Sequence, residues 1–135
     1  MSSVPQGTRL TRDALLHSYY DACRPRGTWL VGAEFERHLL KADGRPLTYF
    51  ADHGVRWLLE QLIARGWKPY REGQYPIAAR KDKAWVTLEP GAQFELSGAP
   101  GRTITEVHQE ARDFALLIDD ILQGTGTRQV ALGFT

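Results

Sequence analysis

The chain has 135 residues, about one ordinary domain, with room for a single hydrophobic core. Its 42% hydrophobic and 24% charged residues match a soluble globular protein, and no apolar run approaches the roughly 20 residues a membrane-spanning helix needs. Seventeen basic residues against sixteen acidic ones leave a net charge of +1, scattered without a basic stripe, which argues against nucleic acid as the main partner. Cys23 is the only cysteine, so an internal disulfide and a cysteine metal cage are both excluded.

Residues 1–9 read as a polar lead, and the start MSSVPQGTRLTRD has no apolar signal core, so a cytoplasmic location is expected. Thr11 caps a helix running to about Cys23, with Leu15, Leu16, Tyr19 and Ala22 at helical spacing. Pro25 and Gly27 stop it. From Trp29 to Leu39 the period changes to two. Trp29, Val31, Ala33 and Phe35 fall on one side of this strand, and Glu34, Glu36 and His38 on the other.

After a turn at residues 42–46, Asp52 is the expected cap of a second helix carrying Val55, Leu58, Leu59, Leu62 and Ile63 inward, and Gly66 ends it. Residues 75–80 and 84–89 then form a hairpin around Lys81-Asp82-Lys83, and residues 93–97 alternate again. Thr103 with Glu106 makes a capping box for a long helix over about residues 104–123, whose positions Ile104, Val107, Ala111, Phe114, Ile118 and Ile121 recur at spacings of three and four. A last strand is expected over residues 129–134. Trp29, Trp57, Trp67 and Trp85 read as core anchors. The pattern predicts one α+β domain over residues 1–135, an antiparallel sheet with helices packed on one face.

Four carboxylates carry the chemistry. Glu34 and Glu36 sit at i and i+2 of a strand and leave one face about 7 Å apart, the separation two neighbouring cation sites require. Glu89 and Glu95 are an even number of residues apart, so both can share a face while Val86, Leu88, Phe94 and Leu96 take the other. Pro90 between them predicts a bulge or bend. Four carboxylates on one sheet repel unless a cation sits among them. Hard oxygen donors without cysteine select Mg²⁺ or Mn²⁺, which commonly complete their shells with phosphate oxygens and water. Neither GxxxxGK[ST] nor GxGxxG occurs, so phosphates would be held by metal and basic side chains. Arg80 is the candidate for a phosphate or substrate carboxylate. His38 shares the acidic face but reads as a hydrogen-bonded structural residue, and His108 as structural also.

Trp-Leu-Val-Gly-Ala-Glu-Phe-Glu at 29–36 and Thr-Leu-Glu-Pro-Gly-Ala-Gln-Phe-Glu-Leu-Ser-Gly-Ala-Pro at 87–100 resemble the two acidic motifs of the plant and proteobacterial class of glutamate–cysteine ligases. The similarity continues through Thr-Ile-Thr-Glu-Val-His at 103–108 to Val-Ala-Leu-Gly-Phe at 130–134. The resemblance implies a partial glutamine synthetase-like catalytic fold, with Mg²⁺ and ATP on the sheet face and γ-glutamylcysteine made from L-glutamate and L-cysteine through a γ-glutamyl phosphate. Glu34, Glu36, Glu89 and Glu95 then fall on metal-binding acids, and Gln93 on a motif residue of the same face. Ala92 departs from the pattern, which has a second glycine there. Members of that class are considerably longer, so a second chain or a further C-terminal region is expected to complete the site. A non-catalytic Mg·ATP-binding or regulatory module, or another carboxylate–amine ligase of the same fold, is the alternative.

Overall fold

The computed structural model describes residues 10–90 and 93–133. In chain order it contains helix α1 (Arg12–Ala22), a 3₁₀ turn (Arg26–Thr28), strand β1 (Glu34–Lys41), helix α2 (Val55–Ala64), strands β2 (Lys68–Glu72), β3 (Tyr75–Lys81), β4 (Ala84–Glu89) and β5 (Gln93–Ser97), helix α3 (Ile104–Leu122) and strand β6 (Thr127–Val130). The strands form one six-stranded sheet in the order β2-β3-β4-β5-β1-β6, and every pairing is antiparallel. The α+β class and the antiparallel sheet are as the sequence pattern predicts.

Local chemistry explains most element ends. Thr103 accepts from the Glu106 amide, and the Glu106 carboxylate returns to the Thr103 amide, closing the capping box of α3. Thr11 caps α1 by accepting from Ala14 N. Helix α2 starts from Gly54 without a side-chain cap, correcting the assignment to Asp52. A Cβ on Gly54 would lie 2.6 Å from Thr48 O and 2.7 Å from Ala51 O, so only glycine lets the loop fold this tightly over the helix start. Gly98 lies against a side chain instead: its Cβ would meet Glu110 Oε2 at 2.6 Å, so a larger residue would push aside the carboxylate that accepts from Ala99 N at 2.8 Å.

The core lies between one face of the sheet and α2 with α3. Leu39, Ala79, Val86, Phe94 and Leu96 from the strands meet Leu58, Leu59 and Leu62 of α2 and Phe114, Ile118 and Ile121 of α3. Phe94 stacks parallel to Phe114, with centroids 6.3 Å apart, and Trp67 packs on Phe114 from the side. Gln129 of β6 ties α3 to the same face by donating to Ala115 O and Asp119 Oδ1.

Several expectations are revised. The first strand begins at Glu34, preceded only by an isolated bridge from Val31 to Gly101, so Trp29 is no core anchor. It is exposed, with its indole N–H donating to Arg24 O. Trp85 is also surface-facing, whereas Trp67 is buried and Trp57 half-buried against the core. Helix α1 buries none of its residues, although its apolar spacing resembles a core helix. Ile104 is exposed in the first turn of α3. Strand β2, KPYRE, is exposed along its whole length and was not anticipated. Strand β6 ends at Val130, short of the expected reach, and Phe134 lies outside the described residues, as does Ala92.

Candidate functional site

Strand register decides which side chains share the uncovered face, because directly opposed residues in neighbouring strands point the same way. Trp85 of β4 opposes Ser97 of β5, which opposes Glu34 of β1; Thr87 opposes Glu95, which opposes Glu36; Glu89 opposes Gln93, which opposes His38. Three rows therefore cross the sheet on one face, and they contain all four predicted glutamates together with Gln93. Arg80 of β3 opposes Trp85 and extends the first row. Every residue predicted for the site lies on this face. The intervening residues, Val86, Leu88, Phe94, Leu96, Phe35 and Leu39, face the helices.

Pro90 marks the connection between β4 and β5, with Glu89 paired to Gln93 across it. It produces a bend at a hairpin end, not a bulge within a continuous strand.

The carboxylates are held by neutral donors. Glu36 Oε2 accepts from Gln93 Nε2 at 2.9 Å. Glu95, only 7% exposed, accepts on Oε1 from Ser97 Oγ at 2.7 Å and from Thr87 Oγ1 at 3.2 Å; no described residue donates to its Oε2. These two hydroxyls were missed in the sequence. Their signal is period-two spacing, since Ser97 is two residues from Glu95 and Thr87 two from Glu89 on strands that pair.

The electrostatics of this face are unusual. Glu36 and Glu95 are direct cross-strand partners, which places their Cβ atoms roughly 5 Å apart, and like charges so opposed destabilise a sheet. The ion pairs among the described residues are Arg45–Asp43 and Arg71–Glu60, and His53 Nδ1 lies 3.7 Å from Asp52 Oδ2. None neutralises any of the four glutamates. Arg80 lies over the Trp85 ring, 5.5 Å from its centroid, and forms no ion pair among the described residues. By contrast, the guanidinium of Arg45 holds the Asp43 carboxyl below its usual range by hydrogen bonding.

His38 differs from its expected role. It is buried at 3% exposure, and neither ring nitrogen has a hydrogen-bond partner. It sits one register step beyond the Gln93–Glu36 contact, flanked by Gln93 and Val130. His108 is exposed on α3. A groove of about 350 Å³ runs between residues 34–37 and residues 131–133 beside the acids.

The donor set fits a hard divalent cation in chemistry: carboxylate oxygens, unpaired with basic groups, on a rigid sheet. The fit is by pairs. Among the described residues no three His, Cys, Asp or Glu side chains converge closely enough to hold one ion, so phosphate oxygens and water would have to supply the remaining ligands.

Comparison with known proteins supplies the family. The model of glutamate–cysteine ligase family 2 (GCS2) matches residues 30–135, a span containing all six predicted site residues. The chain belongs to glutamate–cysteine ligase family 2. It is 30% identical over 127 residues to glutamate–cysteine ligase B, chloroplastic, of Oryza sativa subsp. japonica, covering 93% of this chain and 25% of that protein. Against the chloroplastic glutamate–cysteine ligase of Arabidopsis thaliana it is 28% identical over 127 residues, covering 93% and 24%. The chain thus spans about a quarter of the length of the curated relatives it matches. These relatives are named as chloroplastic, which overturns the expected cytoplasmic location: the lack of an apolar signal core speaks only to export. No helix among the described residues is long and apolar enough to cross a membrane.

Proposed function

We propose that this chain contributes the metal-bearing wall of an ATP-dependent ligase joining L-glutamate to L-cysteine as γ-glutamylcysteine, in a glutamine synthetase-like arrangement. The observation that carries the reading is the direct opposition of Glu36 and Glu95 without a cationic partner, in a chain of glutamate–cysteine ligase family 2. An arrangement that costs stability in the isolated sheet makes sense where a cation joins it.

Glu34, Glu36, Glu89 and Glu95 would hold Mg²⁺ or Mn²⁺, which when bound neutralises charge on the bridging and transferred phosphate oxygens. The remaining work belongs to the chain's own groups. Gln93 fixes the Glu36 carboxylate by donating to Oε2, and Ser97 with Thr87 fixes Glu95 through Oε1, so the acids meet their ligands preorganised. Arg80 offers guanidinium N–H groups to an anionic substrate. In the reaction a γ-carboxylate oxygen of glutamate attacks the γ-phosphorus of ATP and ADP leaves. The cysteine amine then attacks the acyl carbon, the bond to the phosphate oxygen breaks, and the proton lost from nitrogen passes to the departing phosphate. Groups from a further region of the ligase or from a second chain would complete the glutamate and cysteine contacts.

A second reading, a non-catalytic Mg·ATP-binding or regulatory module, is favoured by one observation, that the chain spans only about a quarter of the curated relatives it matches. Phosphate release from ATP, Mg²⁺, glutamate and cysteine distinguishes them. It should be measured on this chain alone and mixed with the part of the rice relative that the chain does not match. The ligase reading predicts cysteine-dependent release in the mixture, abolished by Glu36→Gln. Mg·ATP binding without release in either case would leave the module.

A further inference from the structure

Two surfaces stand uncovered, and their shapes and charges are opposite. The first is helix α1. Leu15, Leu16, Tyr19 and Tyr20 recur at spacings of three and four and share one face with Arg12, while Asp13, His17 and Asp21 take the other. All four apolar side chains are exposed, Tyr19 by 75% and Tyr20 by 73%. Helices shorter than roughly 12–15 residues are marginal in water on their own, and α1 has 11 residues and buries none of them. It therefore needs a surface to pack against. The strap that carries it is anchored: Trp29 Nε1 donates to Arg24 O, Val31 and Gly101 exchange backbone hydrogen bonds, and Gly98 N donates to Ala33 O.

The second surface is a groove of about 750 Å³ on the helix side of the sheet, away from the glutamates. Its apolar lining is Trp67, Ala84, Leu96, Ala99, Phe114 and Leu117, and it runs beside α3 from Thr103 to Leu117. At 1.5 Å per residue that stretch is about 21 Å long, and α1 is about 16 Å long. Asp82, Glu106, Glu110 and Asp113 also line the groove, with Lys81 as its single basic residue. Helix α1 and the turn after it carry Arg12, Arg24 and Arg26. Among the described residues none of these arginines, and none of these four acids, is in an ion pair. No residue of α1 lines the groove of its own chain.

We propose that the chain forms a two-fold dimer in which α1 of each copy lies in the α3 groove of the other, its leucines and tyrosines on the apolar lining and its arginines against the acidic rim. The exchange is reciprocal, so the contact closes on itself instead of propagating into a filament. The four tyrosines of two such helices alone would cover on the order of 600 Å². The leucines and the groove walls bring the total towards the roughly 1,200–2,000 Å² of stable interfaces. Because the groove and the glutamates occupy opposite sides of the sheet, this association is independent of the ligase reading.

Sedimentation velocity of the 135-residue chain should show a dimer that Leu16→Glu and Tyr19→Ser each weaken about tenfold, the scale of losing one buried interface anchor. Asp82→Lys combined with Asp113→Lys should weaken it from the groove side, and added salt should act in the same direction. Cys23, the only cysteine and exposed at the end of α1, supplies a trap. The parent is mixed under oxidising conditions with a chain carrying Cys23→Ser and either Thr105→Cys or Leu117→Cys, near the two ends of the groove. One of the two should give a mixed disulfide dimer, suppressed when the parent also carries Leu16→Glu. A monomeric parent overturns the proposal, as does a dimer that survives both the α1 and the groove variants, or one that gives neither mixed disulfide. Denaturant unfolding checks that each variant keeps its fold, which the α1 substitutions should leave intact because that helix buries nothing.

Discussion

On β1, β4 and β5, alternate residues meet opposite fates. Phe35, Leu39, Val86, Leu96 and Phe94 pack against α2 and α3, and Leu39, Val86, Phe94 and Leu96 are each 2% exposed or less. Their immediate neighbours Glu34, Glu36, Glu95 and Gln93 lie on the opposite face, where carboxylates oppose each other and neutral donors are the only described partners. Apolar contact stabilises the covered face as it stands. The open face instead carries repulsion that a bound cation would relieve, so stability and function occupy the two sides of the same strands.

The comparison predicts unequal penalties. Phe94→Ala should be the most damaging change, costing about 3–5 kcal/mol by emptying the space between Phe114 and the sheet, read as a lower denaturant midpoint. Ser97→Ala, on the open face, should cost about 1.5–3 kcal/mol, because it takes the shorter of two hydroxyl donors from the nearly buried Glu95 carboxylate. If Ser97→Ala were neutral, Glu95 would not depend on that donor. Glu36→Gln should go the other way, raising the stability of the metal-free protein by about 0.2–1 kcal/mol through relief of the Glu36–Glu95 opposition; a destabilised variant would mean the acids do not repel.

Asp43, paired with Arg45 on a surface turn, provides the baseline. Hydrogen bonding from Arg45 lowers its folded pKa, so its contribution is present above the unfolded carboxylate value and is lost as pH falls through the folded one. Because the pair is exposed, Asp43→Asn should shift the acid-unfolding curve only marginally.

Which parts of this were legible in the sequence follows from what each signal encodes. Helix α3 was readable almost to the residue because its apolar spacing, capping box and terminal Gly124 agree. The shared face of the four glutamates followed from the strict period of a strand. Which glutamate opposes which did not, since register depends on tertiary pairing, and neither did the hydroxyl pair on Glu95. Strand β2 was illegible because Lys68, Pro69, Arg71 and Glu72 carry no alternation: β3 recruits it through backbone pairing. Helix α1 shows the converse, an apolar spacing that buries none of its residues, and the burial of His38 without a hydrogen bond had no sequence signal at all.

Thermal unfolding with and without Mg²⁺, on the parent and on Glu36→Gln and Glu95→Gln, tests the central claim most directly. A cation that binds only the folded sheet raises its melting temperature. The parent should therefore melt higher in millimolar Mg²⁺, and each single substitution should abolish most of that rise. An equal rise in all three proteins, or no rise in the parent, would contradict the assignment of this face as a cation-binding wall.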